Sequence, residues 1–358
     1  MKSSKCWPLL AREKSGHKTR NIAIFLSVYC LTLVGLLALY DYNTPVTLPP
    51  DPPAVVVPEV EPGPYDITHQ IPKKYLSYNE VVQRLKEWNE EAPEITEFGT
   101  YGKDRQGTDL CYLRIGTPGK PKVLIHSAIH GNERLGAACT LGTMGKLLWS
   151  YKRDEVLENA DVAEANWIIK NRDIYFVPVF APETYLRQRY LEGTDPNRNW
   201  PYPGSRSENR STPILAMREF FLKHKFVAAM DGHTYGRIFF WPSIATHSDR
   251  EKFRELGRAM GELANYDASS VGSYPAGYAI DWYYWKGAVS LITEFGSPSY
   301  GHGQPIEQIE SETERVYRAY LYFLRNAPEI QLQGQDPPKR SCINAISGSR
   351  KLLILNNL

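Results

Sequence analysis

Cysteine is scarce in this chain of 358 residues. There are five, Cys6, Cys30, Cys111, Cys139 and Cys342, and no two of them are spaced as C-x-x-C. That spacing excludes a cysteine zinc site, and the low count excludes a disulfide-dense scaffold. The three thiols beyond residue 40 can close at most one intrachain disulfide, and sequence does not choose the pair. Cys139, in "LGAACTLGTMGKLL", is expected in a helix core as a small apolar residue. Neither sign of charge dominates: 42 Lys+Arg against 40 Asp+Glu gives a net +2. No global field therefore draws nucleic acid, and no nucleic-acid partner is expected. There is also no internal repeat, which excludes solenoid and propeller architectures. An aromatic content of 12% argues against a disordered chain.

One segment lacks charge altogether. Residues 21–40, "NIAIFLSVYCLTLVGLLALY", contain no Asp, Glu, Lys or Arg, while residues 1–20 carry six basic side chains against Glu13 alone. An uncharged helix of that length spans roughly 30 Å, the hydrocarbon thickness of a bilayer. It is too long for a cleaved signal peptide, and "LYDY" lacks a small-residue cleavage pattern. With basic residues on the cytoplasmic side, the expectation is a single-pass signal anchor: a cytoplasmic tail at 1–20, a membrane helix at 21–40 and the bulk of the chain extracytoplasmic. Residues 41–64 are rich in proline, which fixes the backbone and removes donors, so they form a semi-rigid linker. A folded domain is expected over 65–326 and a poorly ordered tail over 327–358.

Within that domain apolar strands alternate with amphipathic helices. "LSYNEVVQRLKEWNEEAP" places Val81, Leu85 and Trp88 on one helical face. "ITEFGTYG" and "TDLCYLRIG" read as strands joined by a turn. "KVLIHSA", "RDIYFVPVF", "FVAAMDGH", "RIFFWPS" and "AVSLITEFG" read as further strands. Three more helices are expected at "ERLGAACTLGTMGKLLWSYK", "TPILAMREFFLKHK" and "DREKFRELGRAMGELANY", and a fourth at "PIEQIESETERVYRAYLYFLRN". Continuous apolar strands suit burial on both faces, so the fold class is α/β: a mixed, mainly parallel sheet with helices on both faces. Ligands of such sheets bind beyond the carboxyl ends of the strands. His130, Glu133, His233 and Glu294 all fall there.

A lone H-x-x-E such as His130 and Glu133 is usually a surface accident. His233, at the end of a separate strand, changes its meaning. Two His and one Glu make the ligand set of a catalytic zinc with one open position. "TDPNRNW" (194–200), "SYPAGYAIDW" with Tyr274, and "TEFG" with Glu294 follow in order. Together these motifs resemble the zinc carboxypeptidases of the carboxypeptidase A type over about residues 75–325. The resemblance implies one Zn2+ held by His130, Glu133 and His233. It implies that Glu294 is the general base and acid, and that Arg189 stabilises the oxyanion, with Arg187 an alternative for that role. Asn197 and Arg198 would clamp the terminal carboxylate, Tyr274 would close over the substrate, and Tyr235 would line a subsite. Ile280 would floor the side-chain pocket, and Asp195 would orient the first zinc histidine. His69, His126, His247 and His302 match no metal position and are expected to be structural or exposed.

The chemistry agrees with those roles. Zinc lowers the pKa of a bound water to about 7, and an adjacent carboxylate can take its proton. A planar guanidinium meets a carboxylate with two parallel hydrogen bonds. The expected function is therefore a membrane-anchored zinc metallocarboxypeptidase that hydrolyses the C-terminal amide bond of peptides. Ile280, where an acidic residue would select basic termini, implies neutral or apolar C-terminal side chains. The alternatives are the same chemistry on peptidoglycan stem peptides, and a non-catalytic peptide-binding module.

Overall fold

Strand and helix alternate through the chain as the apolar runs require, beginning with a capped helix. In a computed structural model, residues 71–333 are described except 152, 154–156, 199, 206–209 and 273–276. The order is α1 (Tyr78–Glu91), β1 (Thr96–Lys103), β2 (Asp109–Gly116), β3 (Lys122–Ser127), α2 (Arg134–Ser150), α3 (Ala160–Asn171), β4 (Asp173–Val177), α4 (Thr212–His224), β5 (Ala228–Thr234), β6 (Ile238–Trp241), α5 (His247–Ala264), β7 (Asp267–Ser270), α6 (Ala279–Trp285), β8 (Val289–Phe295) and α7 (Gln308–Asn326). Helix α1 starts at a capping box, with Ser77 and Glu80 each accepting from the other's backbone N–H. It buries Val81, Leu85 and Trp88, the face its sequence periodicity marks.

The eight strands of the described residues form one sheet in the order β1-β2-β4-β3-β5-β8-β6-β7. The central β4-β3-β5-β8 run is parallel, and antiparallel pairings with β2 and β6 bound it on either side. Successive residues of the central strands face opposite cores. Val123, Ile125, Ile174, Phe176 and Met230 pack in one cluster with side chains of α1, α2, α3, α5 and α7. Leu124, Tyr175, Val177 and Ala229 pack in a second cluster with α4 and α6. Each fully buried large apolar side chain contributes about 1.5–3 kcal/mol of transfer free energy, so these two layers hold the sheet from both sides. This is the mixed α/β sheet with helices on both faces that the apolar strands imply.

Three elements carry no clear sequence pattern. Helix α3, "ADVAEANWIIKN", intersperses its buried residues with acidic ones. Helix α6, "AIDWYYW", has every residue from Ala279 to Tyr284 buried, so no polar face gives it a period. Strand β7, "DASS", is edge structure paired only with β6. The tail boundary at 327 also shifts. Residues 327–329 form a 3-10 turn with Ala327 buried, and Ile330 and Leu332 pack on the core. Gln333 N donates to the buried Asp249 at 3.0 Å. The packed chain thus runs to residue 333, because α5 supplies a buried carboxylate that takes its backbone. The expected segments 1–20, 21–40 and 41–64 lie outside the described residues. Among the described residues, no helix is long and apolar enough to cross a membrane. Cys111 and Cys139 are buried free thiols, Cys139 on α2 as expected.

Two close approaches set the strand ends over which the side chains converge. A Cβ on Gly131 would meet the Thr184 carbonyl oxygen at 2.1 Å, so the turn after β3 lies directly on the segment that leads to Arg189. A Cβ on Gly232 would meet Ser127 Oγ at 2.1 Å, so β3 and β5 are in tight contact between Asp231 and His233. Overpacking of a buried contact costs about 1–3 kcal/mol. Gly232→Ala is expected to lower stability by about that amount in urea unfolding. The Gly232→Ala/Ser127→Ala pair should recover part of the loss, and additive losses would show that the contact is not the cause.

Candidate active site

Strand β3 ends at Ser127, and Ala128 takes a left-handed backbone (φ 53°) that turns the chain back over the sheet. The turn closes with Glu133 N donating to His130 O at 3.0 Å, and α2 starts at the next residue. Strand β5 supplies His233, whose register partner in β8 is Glu294. The three strand ends therefore bring His130, Glu133, His233 and Glu294 together. Ligand atoms of His130, Glu133 and His233 all lie within 4.8 Å of one another, and all three residues are buried.

The hydrogen bonds define what that cluster can hold. His130 Nε2 lies 2.9 Å from Asp195 Oδ1, and His233 Nε2 lies 2.9 Å from Asp231 Oδ2. A carboxylate can only accept, so each Nε2 carries a proton; a second proton on Nδ1 can serve Glu133 while no metal is bound, and the ring that binds a metal is neutral and turns the lone pair of Nδ1 inward. His130 Nδ1 then faces Glu133 Oε1 at 2.8 Å, and His233 Nδ1 faces Glu133 Oε2 at 2.8 Å. With both rings neutral, lone pair meets lone pair at both contacts, so either ring protons or a cation must lie between them. A cation at the centre resolves that opposition, so the residues fit a metal ion. Two imidazoles and a carboxylate are the ligand set of a catalytic zinc site.

Two further groups hold Glu133 in place. Arg189 Nη1 donates to its Oε1 at 2.9 Å, and Thr234 N donates to its Oε2 at 3.1 Å. Burial pushes the Glu133 carboxyl up, but His233 and His130 outweigh burial and keep it well below the carboxylate range. For His233, burial lowers the imidazole pKa, yet Asp231 and Glu133 raise it well above its ordinary value. Burial pushes the Glu294 carboxyl up to about 7, with Glu133 and Asp231 adding to the rise and His233 opposing it. Glu294 Oε2 is buried and has no hydrogen-bond partner. An uncommitted carboxyl with that pKa, beside a metal site, can take and release a proton near neutrality.

These groups line a cavity of about 320 Å3 with two kinds of wall. Phe240, Val271, Tyr278 and Ile292 form an apolar wall, and Ile280 packs behind them. Thr234, Tyr235 and His302 form a polar one, with His302 in edge contact with Tyr235 at 5.1 Å and 3.4 Å from Thr234 Oγ1.

The residues singled out in the sequence reach this cavity unequally. Arg189 lines it, with its guanidinium forked on Asp195 Oδ2 at 3.2 and 3.1 Å. Arg187 turns back onto the Glu183 carbonyl and does not line it. Arg198 lines the cavity with its guanidinium stacked on Tyr278, 4.5 Å from the ring centroid. Asn197 also lines it, but its amide is committed: Oδ1 accepts from Ala279 N at 2.8 Å, and Nδ2 lies 2.8 Å from His233 Nε2 and 3.4 Å from Asp231 Oδ2. Tyr235 is exposed at the rim. Ile280 is fully buried and supports the wall without forming its surface. Tyr274 lies outside the described residues, and the aromatic ring beside Arg198 is that of Tyr278.

Sequence reasoning missed two histidines. His302, expected to be structural or exposed, lines the cavity with Nδ1 3.7 Å from Glu133 Oε1. No nearby motif marks it, and only the fold brings its loop to the site. His126 is buried beside Asp231, and the register signal that exposes it is the pairing of β3 with β5.

Residues 81–319 match a family described as zinc carboxypeptidase. A zinc carboxypeptidase of Saccharothrix mutabilis subsp. capreolus is 23% identical over 318 residues, 72% of this chain and 71% of its own length. One from Simulium vittatum is 25% identical over 263 residues, 60% of this chain and 81% of its own. Bovine thrombin-activatable fibrinolysis inhibitor, solved in complex with tick carboxypeptidase inhibitor, has a TM-score of 0.62 at 20% identity, covering 72% of this chain and 98% of that one. Carboxypeptidase A from Helicoverpa armigera has a TM-score of 0.61 at 20% identity, covering 72% and 74%. At these identities the likeness to the solved structures is one of fold. The geometry separates ligand from base by a simple measurement. After dialysis and elemental analysis, Glu294→Ala is expected to retain stoichiometric zinc, and His233→Ala to lose it. Equal zinc content in the two variants would refute the assignment.

Proposed function

This chain belongs to the zinc carboxypeptidase family and is a zinc-dependent hydrolase, and from that premise we propose that it releases neutral or apolar residues from the C-termini of peptides. The observation that carries the reading is Glu294 Oε2, buried and unpartnered beside three converging metal donors. When bound by His130, Glu133 and His233, zinc supplies a Lewis acid that makes water nucleophilic at neutral pH.

The remaining work belongs to side chains. Glu294 accepts the proton of the attacking water on its free oxygen and returns it to the leaving amine. Arg189, fixed by Asp195 and Glu133, offers a positive charge where the tetrahedral oxygen develops. Arg198 has no carboxylate partner among the described residues. Its guanidinium, oriented by the Tyr278 ring and the Asn197 carbonyl, is available to fork onto a terminal carboxylate. Asn197 is a positioning group for that end of the cavity, since its amide is spent on Ala279 and Asp231. Phe240, Val271, Tyr278 and Ile292 exclude water and receive an apolar side chain.

The setting of the enzyme is part of the same proposal. The uncharged run 21–40, preceded by six basic side chains and followed by a proline-rich spacer, favours a single membrane anchor with the catalytic domain facing outward. Peptides are the substrates of that arrangement, in solution or as peptidoglycan stem peptides.

A panel of peptides ending in Phe, Leu, Lys and Glu, assayed beside muropeptides, tests the substrate. Phe and Leu are expected to be released first; faster release of Lys would refute the side-chain assignment. Arg198→Lys, which cannot make the two parallel bonds, should lower kcat/KM for Phe-terminated peptides by about 10- to 100-fold, the range of a lost bidentate contact of about 1.5–3 kcal/mol. Loss of activity on acidification should follow Glu294. Its carboxyl is raised to about 7, and the base form is the active one, so kcat/KM rises with pH through that pKa. A bound dication lowers a neighbouring carboxyl, so the midpoint should fall at or below pH 7. A flat profile from pH 5 to 8 would remove Glu294 from the role of base.

A further inference from the structure

Beneath the metal ligands lies a buried chain of polar groups that no catalytic step uses. His126 on β3 is the register partner of Asp231 on β5, and Asp231 lies two residues before His233 on the same face. Tyr283 of α6 closes the far end, its hydroxyl 3.0 Å from His126 Nε2. His126 and Asp231 are completely buried, as is Tyr283. His126 Nδ1 lies 3.2 Å from Asp231 Oδ1 without forming a hydrogen bond, and neither atom has a hydrogen-bond partner among the described residues. Asp231 Oδ2 is occupied by His233 Nε2 at 2.9 Å and by Asn197 Nδ2 at 3.4 Å.

The proton positions along this chain are fixed by its two ends. Asp231 only accepts, so His233 Nε2 and His126 Nδ1 both carry protons. His126 Nε2 is then the acceptor, and the Tyr283 hydroxyl donates to it. The N–H sides of both rings therefore flank Asp231, His233 hydrogen-bonded and His126 in close polar contact, and the carboxylate points its charge at the metal-binding ring of His233. We propose that His126 is a positioning residue for the metal site: it acts through Asp231 to hold the His233 tautomer and ring orientation in which Nδ1 faces the metal. The His126 ring turns the positive end of its N–H dipole to Asp231 Oδ1 at 3.2 Å, and without it that buried anion oxygen, which accepts no hydrogen bond, would lose this electrostatic contact. Such an oxygen is relieved by rotating the carboxylate away from His233. That rotation weakens the grip on the ring. This extends the zinc assignment above and rests on it.

Zinc affinity of the full chain, stripped of metal and titrated against a chromophoric chelator, tests the role without recourse to turnover. His126→Leu and His126→Asn leave similar cavities, but only Asn offers an N–H close to the place of Nδ1. Outer-shell partners typically contribute 10- to 100-fold to metal affinity. His126→Leu is therefore expected to weaken zinc about tenfold, and His126→Asn to stay within about threefold of the unaltered chain. The visible spectrum of the Co2+-loaded protein should shift in the Leu variant and be restored in the Asn variant. Tyr283→Phe, which deletes one hydroxyl and keeps the packing, should weaken zinc by a few-fold and covers the case in which His126→Leu does not fold. Equal zinc affinity in the Leu variant, the Tyr283→Phe variant and the unaltered chain would overturn the role of His126. An unaltered chain that takes up no zinc would overturn the metal site as well.

Discussion

Two imidazole nitrogens face one carboxylate across 2.8 Å, each ring already committed to a carboxylate behind it. That opposition is the constraint on which the site depends. Hydrogen bonding alone cannot satisfy it with neutral rings, because all four inward-facing atoms are acceptors. A cation converts four mutually repelling lone pairs into a ligand set. The surrounding structure is arranged to keep the rings from turning away. Asp195 receives His130 and Asn197 N on Oδ1 and the Arg189 fork on Oδ2. Asp231 receives His233 from above and faces His126 from below.

Strand β5 is the spine of this arrangement. Asp231, Gly232, His233 and Thr234 each make a contact the site needs: the buried carboxylate, the close approach to β3, the metal donor, and the backbone N–H that holds Glu133. Parallel pairing with β3 on one side and β8 on the other sets His126 opposite Asp231 and Glu294 opposite His233. A one-residue slip in either register would turn these side chains to the other face of the sheet. The two apolar layers that sandwich the sheet therefore do more than stabilise it. By fixing which side chains of β3, β5 and β8 share a face, they fix the distances between the catalytic groups.

Much of this was legible in the sequence because strand ends are legible. His130, Glu133, His233 and Glu294 each follow an apolar run, and open α/β sheets gather ligands where such runs end. The strands and the long amphipathic helices could be read for the same reason. What could not be read depended on contacts between distant loops. His302 enters the cavity on the loop between β8 and α7, whose polar sequence gives no period. Asn197 reads as a substrate clamp by position, yet its amide is drawn into the protein by Ala279 N on α6, a helix hidden because it is buried on every side. Tyr278, not marked in the sequence, stacks on Arg198 because the turn into α6 places it there. The tail boundary differs because Asp249, a charged residue on the buried face of α5, takes Gln333 N.

Charge balance ties the metal to the base. Glu133, Asp195 and Asp231 are all held below the ordinary carboxylate range by the rings of His130 and His233 and by Arg189. Once both rings give up their inward protons to bind a metal, three negative charges face the single guanidinium of Arg189, and one divalent ion balances the difference at the point where the donors converge. Buried ions are tolerated only when paired and hydrogen-bonded, and each of the three carboxylates has its partners named above. Glu294 is the fourth carboxylate and the exception. It has a buried oxygen without a partner, and burial raises its pKa toward neutrality where neighbouring cations lower the others. A site with three committed anions and one uncommitted acid has one place left for a movable proton, and that place adjoins the metal donor His233 across the β5–β8 pairing.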